Sequence, residues 1–252
     1  MTSAVLIRAR AYAVHLLTAS GIVAALFAVA ELLDDAPDER VVFAWLIVAV
    51  VIDAVDGPLA RAWEAKRFAA DIDGRTIDDI VDYLTFTFIP LLLVWRMGWV
   101  PFAPGFAGAA WIVPALLASL LGFAHVGAKD EAAGYFRGFP SYWNIAAFYA
   151  GLASHGLGEA GQWLNGAVLL ALAALTVSPV RFIYPNLAPR PWKLPVMVGA
   201  AAWAAVLLGM LLVYRTVPGW LVWASLIYPL FYAALSILLD PQRHARARSR
   251  SL

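Results

Sequence analysis

The sequence predicts an all-α integral membrane protein of about eight transmembrane helices, with both termini in the cytoplasm. Three observations carry this. Hydrophobic residues fill 63% of the 252 positions and charged residues only 14%, where soluble domains carry roughly 25% charged. Eight apolar segments approach the roughly 20 residues that a helix needs to cross a bilayer. The basic residues are spread unevenly over the loops between those segments.

The segments run over 12–33, 41–59, 76–95, 106–126, 141–157, 163–184, 195–214 and 220–239. The first is too long for the apolar part of a secretory signal and runs into Glu31-Leu32-Leu33-Asp34-Asp35 without a small-residue cleavage site, so it is expected to be retained. The fifth is the shortest and is bounded by glycine. With eight spans, 15 of the 18 Lys and Arg fall on one side, and only Arg40, Arg96 and Arg215 on the other. Basic loops stay cytoplasmic, so the termini and the loops after even-numbered helices belong there. The acidic stretch Asp34-Asp35-Ala36-Pro37-Asp38-Glu39 is then expected outside.

No repeat or polar linker divides the chain, so residues 1–240 read as one membrane catalytic domain, followed by a basic cytoplasmic tail at 241–252 suited to anionic headgroups. Trp63, Trp95, Trp99, Trp163, Trp192 and Trp220 fall near expected helix ends, where indoles sit well at headgroup level. There is no cysteine. That excludes a disulfide framework and a thiolate nucleophile, and leaves oxygen or imidazole to bind any metal.

Eight of the 17 acidic residues, seven of them aspartates, fall between Asp53 and Asp82. Carboxylates near a helix end in a bilayer are costly unless a cation or water-filled cavity receives them. Asp53 and Asp56 are three apart at the end of the second segment, and Asp78 and Asp82 four apart at the start of the third, so each pair shares a helix face. Two helices joined by one loop are antiparallel neighbours. Their four carboxylates can therefore converge on one or two hard divalent cations, Mn2+ or Mg2+. Arg61 offers a fixed cation for a phosphate, while Gly57 and Gly74 permit close approach of backbone or ligand. Glu64, Asp71 and Asp73 read better as partners of nearby basic residues, and Asp79, about 100° off the Asp78–Asp82 face, as supporting charge.

Read as a line, Asp53-x2-Asp56-Gly57-x2-Ala60-Arg61-x12-Gly74-x3-Asp78-x3-Asp82 resembles the signature of the CDP-alcohol phosphotransferase family. The x12 spacer departs from the shorter one usual in the family and is similar to one branch, the bacterial phosphatidylcholine synthases. Residues 14–21, Gly138-Phe139-Pro140-Ser141-Tyr142-Trp143-Asn144 and Asp82-Tyr83 resemble that branch too. The resemblance implies that Asp53, Asp56, Asp78 and Asp82 bind metal, that Asp82, with Asp78 beside it, is the general base, and that Gly57, Ala60, Arg61 and Gly74 line the CDP portion of the lipid substrate. It further implies CDP-diacylglycerol and choline as substrates, CMP as product, a homodimer, and a multi-pass place in the bacterial inner membrane with the site at the cytoplasmic face.

Choline carries a quaternary ammonium, which is held best over aromatic faces backed by a carboxylate or carbonyl. Glu131, Tyr135, Phe136, Phe139, Tyr142, Trp143 and Asn144 offer that chemistry on the expected side of the membrane, with Tyr83, Tyr184 and Asn186 as further candidates. Aromatic residues at an interface also serve as plain lipid anchors. Two rivals stand beside this reading: the same family acting on serine, inositol phosphate or glycerol 3-phosphate, and a secondary transporter using its carboxylates as a proton or Na+ relay.

Overall fold

The computed structural model describes residues 2–127, 129–130 and 133–240. Helix α1 (Thr2–Leu32) packs along α2 (Glu39–Ala62), and a short α3 (Ala65–Phe68) leads to the third helical segment. That segment is not one regular helix. It comprises α4 (Gly74–Asp82), a π-helical turn (Tyr83–Phe88) and α5 (Ile89–Arg96). A 3-10 turn (Phe106–Gly108) opens α6 (Ala109–Ala124), followed by α7 (Trp143–Leu157), α8 (Glu159–Thr176), α9 (Lys193–Leu212), α10 (Gly219–Ser225) and α11 (Ile227–Leu239).

Five of the helical segments are long and apolar enough to cross a membrane: Val5–Leu32, Glu39–Ala62, Phe106–Ala124, Lys193–Leu212 and Gly219–Leu239. Their outward faces carry large apolar side chains in the open, among them Leu26, Leu121, Leu194, Trp220, Trp223 and Leu230. Lipid tails, unlike water, accept such faces.

The expected sixth segment is corrected in its second half. α8 ends at Thr176, and residues Arg181–Ile183 form a strand, β3. Pro179 explains the stop, because it has no N–H to continue the helical ladder. β3 pairs antiparallel with β2 (Tyr135–Arg137), which pairs with β1 (Lys129–Asp130). This small sheet, absent from the sequence reading, rests on α11. Tyr135 donates to the Leu239 carbonyl at 2.7 Å, and Arg181 bridges Asp130 and Asp240 at 2.8 and 3.5 Å.

α7 and α8 turn on one residue, Gly158, at φ +55° and ψ −128°, a conformation that disfavours a Cβ. Asn165 then ties the hairpin to its neighbours, donating to the Trp99 and Ala150 carbonyls and to Ser154 Oγ at 2.8, 2.9 and 3.0 Å. Trp99 is corrected as well. It lies 3% exposed in the core, stacked on Phe43, rather than at an interface.

The three basic residues set apart by the sequence gather at one end of the bundle. Arg96 donates to the Leu32 and Asp34 carbonyls, which closes the end of α1. Arg40 pairs with Asp38, the N-cap of α2, and its guanidinium holds that carboxyl below the usual range. Arg215 grips Glu39 through two hydrogen bonds at 2.8 and 2.7 Å, and His155 adds a contact at 3.2 Å. Glu39, the last residue of the acidic stretch, is fully buried. Its polar partners come from α7 and from the turn after α9, neither of which lies near it in sequence.

Candidate metal centre

The aspartates lie at the other end of α2. Fourteen residues separate Glu39 from Asp53, about 21 Å at the helical rise. α4 begins where Asp73 caps it, accepting from Arg75 N at 3.1 Å and Thr76 Oγ1 at 2.7 Å. Those bonds hold the Asp73 carboxyl below its usual pKa. From that cap α4 runs on through Asp78 and Asp82.

One carboxylate oxygen each from Asp53, Asp78 and Asp82 lies within 4.8 Å of the other two. Two ligand oxygens on opposite sides of a Mg2+ are about 4.2 Å apart, so the three are gathered on the scale of one hard cation. Asp56, the fourth expected ligand, falls outside this trio. Its side chain is 6% exposed and Oδ2 has no hydrogen-bond partner among the described residues. The three gathered carboxylates form an all-oxygen donor set of the kind that suits a hard divalent cation.

The other acids have plain partners. Asp71 accepts from Tyr12 at 2.6 Å, which keeps its carboxyl below the usual range and ties the loop to α1. Glu64 pairs with Arg67, and Asp79 lies 3.6 Å from Arg75. Gly57 and Arg61 are neighbours on the last turns of α2: a Cβ on Gly57 would lie 3.5 Å from Arg61 Nη1, and the Arg61 side chain is exposed. Ala60 is half-buried one turn on. Gly74 has a steric role that the sequence did not disclose. A Cβ there would stand 2.6 Å from Cε1 of His15, a buried imidazole on α1 whose Nε2 has no hydrogen-bond partner among the described residues.

Among the described residues, several of those expected to hold choline have partners of their own. Trp143 is fully buried and donates to Ser119 Oγ at 2.6 Å. Phe139 packs edge-on against Trp143 at 5.2 Å. Asn144 turns its Oδ1 to the Ile145 N–H. The Tyr135 ring already carries a cation, the Arg181 guanidinium 4.8 Å from its centre. Glu131 lies outside the described residues, as does the 241–252 tail.

No family profile matches the chain, and no solved structure matches it. Curated relatives do. The chain is 36% identical to the phosphatidylcholine synthase of Pseudomonas aeruginosa over 178 residues, 71% of this chain and 70% of that one. It is 36% identical to the enzyme of that name from Mesorhizobium japonicum over 180 residues, 71% of this chain and 62% of the relative. Against the phosphatidylcholine synthase of Bradyrhizobium diazoefficiens it is 35% identical over 215 residues, 84% of this chain and 75% of the relative. Identities of 35 to 36% over more than two thirds of this chain, and over more than two thirds of the relative in the Pseudomonas and Bradyrhizobium cases, together with aspartates gathered from the signature read in the sequence, place the chain in the phosphatidylcholine synthase family.

Proposed function

We propose that the protein is a CDP-diacylglycerol–choline phosphatidyltransferase working at the cytoplasmic face of the bacterial inner membrane. The observation that carries this is the convergence of Asp53, Asp78 and Asp82 within 4.8 Å in a chain of this family. Asp53, Asp78 and Asp82 would hold Mn2+ or Mg2+, with the orphaned oxygen of Asp56 turning to the same or a second ion. When bound, such ions neutralise the substrate pyrophosphate and the charge that develops on the departing nucleotide.

The chain's own residues supply position and proton transfer. Arg61 is aimed at a phosphate, while Gly57, Ala60 and Gly74 border the CDP portion. Asp82 takes the proton from the choline hydroxyl. The alcohol oxygen bonds to the phosphorus that carries the diacylglycerol, the bond from that phosphorus to CMP breaks, and CMP leaves with the electron pair. No covalent enzyme intermediate is needed, in keeping with a chain that lacks cysteine.

Eight spans fit this reading, with Gly74–Arg96, Trp143–Leu157 and Glu159–Thr176 added to the five long apolar helices. Supporting the topology, Arg40, Arg96 and Arg215 cluster at the bundle end opposite the aspartates. A homodimer is the assembly we expect. The test is purified protein supplied with CDP-diacylglycerol and choline, ethanolamine, serine or glycerol 3-phosphate in turn, following CMP and the lipid product. Choline should be the preferred acceptor. Preference for serine or glycerol 3-phosphate would overturn the acceptor, and no CMP release with any alcohol would overturn the reaction.

A further inference from the structure

Tyr142 is the aromatic residue of the 135–144 segment that the fold turns towards the aspartates. Its backbone is held on both sides. Ser141 before it sits at φ +59°, in the left-handed region that a non-glycine residue rarely occupies, and hydrogen-bonds Ser119 Oγ at 3.2 Å. Trp143 after it is buried and anchored to the same Ser119 oxygen. With both neighbours drawn inward, Tyr142 points the other way and remains 49% exposed. Strained backbone that persists under such anchoring is commonly found at functional sites.

Two observations fix what Tyr142 faces. Its ring lies 6.1 Å from that of Phe86, which stands on the π-helical turn directly after Asp82. Burial, and after it the negative charge of Asp53 and Asp82, push the Tyr142 hydroxyl up, in keeping with a ring on the carboxylate side of the segment. Further aromatic rings lie beyond, Tyr184 edge-on to Phe136 at 5.2 Å and Tyr232 of α11 stacked on Phe182 at 6.4 Å.

A quaternary ammonium has no N–H to donate. It gains from π faces and from negative potential, and both are present here. Only two methylenes separate choline's cation from its hydroxyl. A cation seated at Tyr142 thus leaves the hydroxyl beside Asp82, the proton acceptor proposed above. We infer that Tyr142, flanked by Phe86, is the specificity-determining residue that holds the quaternary ammonium of the acceptor alcohol against the aspartate trio. This rests on the reading of choline as acceptor and moves its site away from Tyr135 and Trp143.

The experiment compares wild type with Tyr142→Phe, Tyr142→Leu and Tyr142→Ala, measuring KM and kcat separately for CDP-diacylglycerol and for choline, dimethylethanolamine, monomethylethanolamine and ethanolamine. Tyr142→Leu and Tyr142→Ala should raise the choline KM about 30-fold, the equivalent of about 2 kcal/mol for a desolvated cation–π contact, with the CDP-diacylglycerol KM within about twofold. Tyr142→Phe, which keeps the ring, should stay within about threefold. The loss should shrink with each methyl removed from the acceptor, a gradient that a merely structural tyrosine would not produce. An unchanged choline KM in Tyr142→Leu would overturn the assignment, and so would equal losses for both substrates or for all four alcohols. Wild-type protein that makes no phosphatidylcholine would instead sink the acceptor reading on which the inference stands.

Discussion

Helix α2 carries an acid near each end, and the fold treats the two ends in opposite ways. At the N-terminal end Glu39 is fully buried, with two hydrogen bonds from Arg215 and a contact to His155. Its charge is answered from within the chain. Near the other end Asp53 meets two further carboxylates, Asp78 and Asp82, within 4.8 Å, and Asp56 buries an oxygen without a hydrogen-bond partner among the described residues. Like charges so gathered raise each other's cost unless protons or cations join them. A lone acid held by its own protein ties helices together, whereas three acids gathered this closely could hold a metal ion.

The largest expected effect breaks the second arrangement. Asp78→Asn should lower CMP release by more than about 100-fold at saturating metal, since even outer-shell partners of metal ligands cost 10- to 100-fold. The unfolding midpoint in detergent should hold or rise, because a crowded charge has gone. Activity within a few-fold of wild type would remove Asp78 from the metal site.

Chelation tests the same end without a mutation. EDTA should stop turnover, and added Mn2+ or Mg2+ should restore it, read as CMP release before and after each addition. Full turnover in excess chelator would show that the aspartates serve some other purpose.

At the opposite end the effect should fall on stability. Arg215→Ala leaves Glu39 buried with only His155 beside it, and removing one partner of a buried pair costs about 3 to 5 kcal/mol. The low end, about 3 kcal/mol, is expected, because the guanidinium is itself 57% exposed. Thermal unfolding in detergent measures this. The metal concentration for half-maximal activity should not move, and a shift in it would mean that the two ends of α2 are coupled.

The smallest effect concerns the start of the helix that carries Asp78 and Asp82. Asp73→Ala removes the cap of α4 and should change activity by less than about threefold, as exposed substitutions usually do. The folded Asp73 pKa is depressed by its bonds to Thr76 and Arg75. Its stabilising contribution is therefore complete above the usual carboxylate value of about 3.9 and fades as pH falls through the lower folded value. The gap in unfolding midpoint between wild type and Asp73→Ala should be constant from neutral pH to about pH 5 and should narrow below about pH 4. A gap that widened on acidification would contradict that sign.

The sequence by itself determined the membrane class, because apolar runs of this length have no other stable home, and it determined the aspartate pairs, because spacings of three and four put side chains on one helix face whatever surrounds them. Pro179 was also there to be read as a stop, yet the apolar residues around it masked the strand. Only the tertiary structure decided that Asp53, Asp78 and Asp82 form the close trio while Asp56 stands apart, since the angle between α2 and α4 and the π-helical turn after Asp82 depend on packing between helices. The fold alone buried Glu39 against Arg215, 176 positions away, and turned Trp143 inward and Tyr142 outward from adjacent places in the chain. Local spacing fixes which side chains share a face, but which faces meet is settled by contacts between residues far apart in sequence.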